Sequence, residues 1–108
     1  MTIDRIPEND WKLFCKVREA ALERFCKQIL ADVAELCADT SDTAHERYLK
    51  LYRLVEERDE KIANLFNDKR RSTAKLQLLL MHREGLLTND QLAGFSDEIR
   101  SVIEHYPF

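Results

Sequence analysis

Three cysteines fall at equal intervals along the chain, Cys15, Cys26 and Cys37. Clustered thiolates bind zinc or form redox couples, so their spacing decides what they can do. On a helix rising ~1.5 Å per residue, eleven residues separate neighbouring thiols by about 16 Å. One zinc ion needs its sulfurs ~2.3 Å away, so no two of these can share a metal within one helix. No Cys-x-x-Cys occurs. A free cysteine behaves as a small buried hydrophobe, which is the expected role. A second arrangement stays open: two copies of this helix, antiparallel and centred on Cys26, would set Cys15 against Cys37 of the partner subunit.

The histidines, His45, His82 and His105, show no i, i+4 pair, and none has a Glu three residues before it. The paired Glu-x-x-His signature of di-iron bundles is therefore absent. Asp42 stands three residues before His45, but a helix start explains both. No Gly-rich phosphate loop and no nucleophile elbow occurs. No catalytic residue, metal ligand or cofactor is expected, and the chain is read as a non-enzyme.

Lys69, Arg70 and Arg71, with Lys75 one turn on, are the one concentrated basic feature. They are candidates for phosphate contacts, each of which adds salt-dependent affinity. The plainer reading is a solvated helix face paired with nearby acids, for which Asp68 is adjacent. No aromatic residue interleaves the run, so a stacking platform for single strands is not supported. Four aromatics are candidates for a protein interface, where such residues carry much of the binding energy: Trp11, Phe25, Tyr48 and Tyr52. Their helical spacing equally suits a core.

Positioning these residues falls to helices. The chain has 108 residues, 44% hydrophobic and 34% charged, with only two Gly and two Pro. That is one modest core, read as a single helical domain over 1–108. All-β folds need turn signals every 8–12 residues or so, and none appear. An odd cysteine count, and no leader-like pattern over 1–9, point to a reducing cytoplasm. The longest apolar run, Leu78-Leu79-Leu80-Met81, is far short of the roughly 20 residues that span a bilayer.

The formal charge of −3 is unevenly spread. Residues 1–42 carry six basic against nine acidic groups, 43–75 nine against six, and 76–108 two against five. The middle third is complementary to both flanks, which favours antiparallel packing. The acidic whole argues against a dedicated nucleic-acid binder.

A first helix is predicted over 7–38, with Pro7 at its first position and Glu8 and Asp10 suiting the dipole. Its apolar stripe repeats every eleven residues, as in Trp11-Leu22-Val33 and Phe14-Phe25-Leu36, so the face stays nearly straight. It should stop within 38–42. A second helix starts at Asp42 or Thr43. From Ala44 an alternation of four and three runs through Tyr48, Leu51, Val55, Arg58, Ile62 and Leu65 towards Arg83. The register survives the polar stretch 67–72, so the helix either runs on to Glu84 or breaks there. Gly85 is a helix-ending residue. Thr88 and Gln91 make a capping box, with Leu87 and Leu92 at the staple positions. A last helix is predicted over 89–105, with Tyr106 on its apolar side and Pro107 ending it.

The expected fold class is therefore all-α: an antiparallel helical bundle or long helical hairpin of three to four helices, with a C-terminal helical hairpin. The expected function is a non-enzymatic helical protein–protein interaction module, self-associating as a homodimer, with no membrane partner. The alternative is a nucleic-acid-associated regulator using the basic run at 69–75. Self-association follows from lengths. A continuous helix over 43–84, about 63 Å long, would be lined by only one partner helix over most of its length, leaving broad stripes wet. A break at 67–72 would instead let four helices close a core within one chain, and the need for a partner would disappear.

Overall fold

Pro7 sits one residue outside the first helix rather than inside it, with ψ 152°. Its carbonyl accepts the Trp11 amide at 2.8 Å. In the computed structural model, which describes residues 6–105, α1 spans Glu8–Ala38. Asp39 ends it, its carboxylate accepting the Ser41 amide at 3.0 Å. Thr43 then caps α2 (Ala44–Phe66), its hydroxyl accepting the Glu46 amide at 3.2 Å. Asp42, the other candidate cap, instead pairs with Lys50.

The chain breaks after Phe66. Arg70 is extended, with φ −131° and ψ 149°, and a single 3-10 turn (Arg71–Thr73) leads into α3 (Ala74–Arg83). Polar side chains compete with the backbone here, as their low helix propensity implies. The Thr73 hydroxyl donates to the Arg70 carbonyl at 3.2 Å. Arg18, from α1, donates to the Phe66 carbonyl and lies 5.9 Å over its ring. A cation there satisfies the negative end of α2.

The C-terminal turn forms as its residues predict. Gly85 has φ +73°. The Gly85 amide donates to the His82 carbonyl at 3.0 Å and the Leu86 amide to the Met81 carbonyl at 2.9 Å, the paired bonds of a Schellman ending. The Thr88–Gln91 capping box is complete and opens α4 (Asn89–Ala93). Leu92 is buried, and half-buried Leu87 packs against the same core.

The predicted last helix divides. Residues 94–96 interrupt it, and α5 (Asp97–His105) follows. Ser96 is committed to Asp10, and a methyl on Gly94 would meet the Leu13 side chain at 2.9 Å. Tyr106 and Pro107 lie outside the described residues. These hold five α-helices and no strand, so the fold is all-α.

The core is confined to one end. Phe14, Val17, Ala21 and Phe25 of α1 pack with Leu65 and Phe66 of α2 and with buried residues of α3, α4 and α5. Fully burying such side chains contributes ~1.5–3 kcal/mol each. With 31 residues, α1 is about 47 Å long. The ten residues of α3 and nine of α5 reach only ~15 Å. They cover the proximal half of α1 and leave the distal half as a bare two-helix arm. The molecule is correspondingly 58 × 25 × 23 Å. No helix runs unbroken over 43–84, so the rod expected from helix lengths does not form; the break closes a core within one chain, while half the hairpin lacks a covering layer.

Candidate protein-interaction face

At about 100° per residue, α2 carries two stripes rather than one. Arg47, Leu51, Leu54, Arg58, Ile62 and Leu65 turn towards α1 and are half-buried or buried. Arg58 Nη1 lies 2.8 Å from Asp32 Oδ2, and Arg47 donates to the Cys37 carbonyl. Roughly a third of a turn away lie His45, Tyr48, Leu49, Tyr52, Val55, Glu56 and Asp59, all exposed. Their offsets of three and four repeat over seven residues, the spacing of a seam that packs on another helix. The alternation read from Ala44 mixes the two: Tyr48 and Val55 belong to the outer stripe, Leu51 and Arg58 to the inner.

The outer stripe continues across the hairpin. Cys26, Ile29 and Leu30 of α1 face Val55, Asp59 and Ile62 of α2 across an apolar groove of about 250 Å³. Further out, Leu36 and Cys37 share a second groove with Ala44, Tyr48 and Leu51. Leu30 is 67% exposed, Tyr48 and Tyr52 60% and Val55 49%. Together they form a contiguous exposed apolar patch on one side of the arm. The opposite side of the arm is acidic, lined by Asp32, Glu35 and Asp39 beside Arg58.

The candidate interface aromatics separate accordingly. Tyr48 and Tyr52 come together on the exposed face and are not core. Phe25, 5% exposed, lies in the core. Trp11 is half-buried, stacked on Phe14 at 5.4 Å, with Arg71 5.5 Å over its ring. Leu30, Leu49 and Val55 belong to the face but were not among the expected contacts. For Leu49 and Val55 the signal is the i, i+3 step from Leu49 to Tyr52 to Val55. The thiols differ from expectation too. Cys15 is half-buried against the core; along the uncovered arm Cys26 is half-buried and Cys37 exposed.

The basic run forms no helix face, since it straddles the break. Arg70 Nε and Nη2 lie 2.6 and 2.7 Å from the Asp68 carboxylate. That hydrogen bonding holds Asp68 below the usual carboxylate value and raises Arg70. Arg71 pairs with Glu8, and Lys75 lies 3.5 Å from Glu98. Lys69 is exposed. The four cations therefore do not converge, and three are matched with acids.

Among the described residues, no group of three or more His, Cys, Asp and Glu side chains could hold a metal ion. None of their helices is long and apolar enough to cross a membrane. Compared with known proteins, the chain matches no family model, no curated protein and no solved structure.

Proposed function

We propose that this protein is a non-enzymatic helical interaction module that binds through the exposed face of its α1–α2 arm, and that its partner is a second copy of itself. The observation that carries this reading is the row Leu30, Tyr48, Tyr52 and Val55, each about half exposed or more on one side of a two-helix arm. Aromatic and aliphatic anchors grouped this way supply the centre of a protein interface. Two such arms, face to face, make a four-helix bundle, and a two-fold dimer is the commonest such assembly. Three free thiols suit a reducing cytoplasm, and we put the chain there.

Light scattering across a tenfold concentration range tests the reading. The expected mass is twice 12.7 kDa at the upper end, falling on dilution. A mass of 12.7 kDa throughout would overturn it.

A further inference from the structure

The outer stripe of α2 is self-complementary about one residue. Counting outwards from Tyr52, Leu49 and Val55 are equidistant, as are Tyr48 and Glu56, and His45 and Asp59. All seven are exposed. If α2 met its own copy antiparallel with Tyr52 at the centre, Leu49 would stand opposite Val55 and Tyr52 opposite Tyr52. The Tyr48 hydroxyl would reach a Glu56 carboxylate, and each His45 imidazole an Asp59 carboxylate. We infer that the dimer is built this way, with a two-fold axis through Tyr52; the inference rests on the self-association proposed above.

Levels across the arm extend the match to α1. Cys26 shares one groove with Val55, Asp59 and Ile62, and Cys37 shares the other with Ala44, Tyr48 and Leu51, so in this antiparallel pair the level of Cys26 falls around Asp59 and that of Cys37 around Tyr48. Tyr52 is then level with Val33. Around that level the outer side of α1 offers Leu30, Val33, Ala34 and Cys37, none of them charged. Apolar side chains therefore meet at the middle of both helix pairs, and the polar pairs fall at the ends. That is the arrangement of a desolvated centre with a polar rim.

The competing register, centred on Cys26, fails on charge. Cys26 and Asp59 line the same groove, so that axis would bring the two Asp59 carboxylates near each other. Like charges in juxtaposition suppress a contact. The axis at Tyr52 moves each Asp59 to a histidine instead.

Cross-linking with a short bismaleimide reads the register. In a C15S/C26S/C37S background, Tyr52→Cys should couple to itself and move from 12.7 kDa to twice that mass. Leu49→Cys and Val55→Cys should couple when mixed. Helicity by circular dichroism confirms that each variant folds, as exposed positions on α2 allow. The wild-type protein gives an independent measurement, since its own thiols can be cross-linked and the peptides mapped. Cys26 coupled to Cys26 there would overturn the register while leaving self-association intact. So would a dimer by light scattering in which Tyr52→Cys does not couple. A monomer at all concentrations would remove both the register and the reading beneath it.

Discussion

Ser96 donates twice to the carboxylate of Asp10, from its amide to Oδ1 at 2.9 Å and from its hydroxyl to Oδ2 at 2.6 Å. Asp10 is only 3% exposed, and it lies in the first turn of α1, where the helix dipole also favours a carboxylate. A buried charge needs such partners, because an unmet one costs its desolvation. One interaction thus ties the start of α1 to the start of α5 across 86 residues of sequence. The Ser96 carbonyl then accepts the Arg100 amide at 2.9 Å and begins α5.

Ser96→Ala removes the hydroxyl donor and keeps the amide. Hydrogen bonds to charged groups are worth ~1.5–3 kcal/mol, so a loss of that order is expected in urea denaturation. The midpoint should fall with the slope unchanged, because the exposed area on unfolding stays the same. An unaltered midpoint would show that the Ser96 hydroxyl does not stabilise the Asp10 carboxylate.

The turn between α3 and α4 offers a second stability test. Gly85 holds φ +73°, where an L side chain crowds the backbone, and Gly85→Ala is expected to cost about 1–2 kcal/mol. Thr88→Ala should cost ~0.5–2 kcal/mol through loss of the cap. Neither residue touches the arm, so the concentration at which the protein associates should not move once it is folded. Denaturation and light scattering on the same samples check both statements.

These two sites also mark what the sequence discloses and what it hides. Gly85, Thr88 and Gln91 are legible because capping is local: the groups that satisfy one another lie within a few residues. The break at residues 94–96 is not, because the group that claims Ser96 sits at position 10. On α2 the difficulty is direction. Alternating steps of four and three track the average heading of a broad apolar stripe, so Tyr48 and Leu51 look like one seam. Only the placement of α1 separates the residue that packs inwards from the one left outside. Phe25 and Tyr48 are alike in type and spacing, yet differ in whether short helices α3 and α5 reach them.

Asp68 supplies a pH prediction. Hydrogen bonding from Arg70 lowers its pKa from 3.8, and its contribution to stability follows the sign of that shift. It is fully present above the unfolded value of 3.8 and is lost as pH falls through the lower folded value. An NMR titration of the side-chain carboxyl should show a midpoint below 3.8, and Arg70→Gln should bring it back up. Asp39 is lowered by the Ser41 amide instead, so its midpoint should be unmoved by the same substitution.

The pairing of the basic run predicts its behaviour towards nucleic acid. Arg70 and Arg71 are engaged with Asp68 and Glu8, and Lys75 with Glu98. A phosphate would have to displace those carboxylates before gaining a contact. We expect no association with mixed DNA or RNA at about 0.15 M salt, where counterion release contributes less than at low salt. A band retarded at that ionic strength, weakening steeply with added salt and abolished by charge reversal of Arg70 and Arg71, would restore the regulator reading.

Phe25 and Tyr52 give the sharpest contrast, because both are aromatic and each stands on a different kind of surface. Phe25 is 5% exposed in the core of the closed end, and Phe25→Ala should cost ~3–5 kcal/mol through lost burial and the cavity left behind. Tyr52 is 60% exposed on the arm, and a surface change there alters the stability of an isolated chain by only about ±0.5 kcal/mol. Tyr52→Glu should nevertheless abolish self-association, since two carboxylates would meet at the centre of a desolvated face. Partner binding adds to apparent stability at high concentration, so denaturation must be compared below the dissociation range. There, Tyr52→Glu should match the wild type while Phe25→Ala does not. At high concentration Tyr52→Glu should fall below the wild type, by the linkage it has lost. A Tyr52→Glu protein that still doubles its mass would exclude this face as the contact. One that unfolds when dilute would make Tyr52 part of the core.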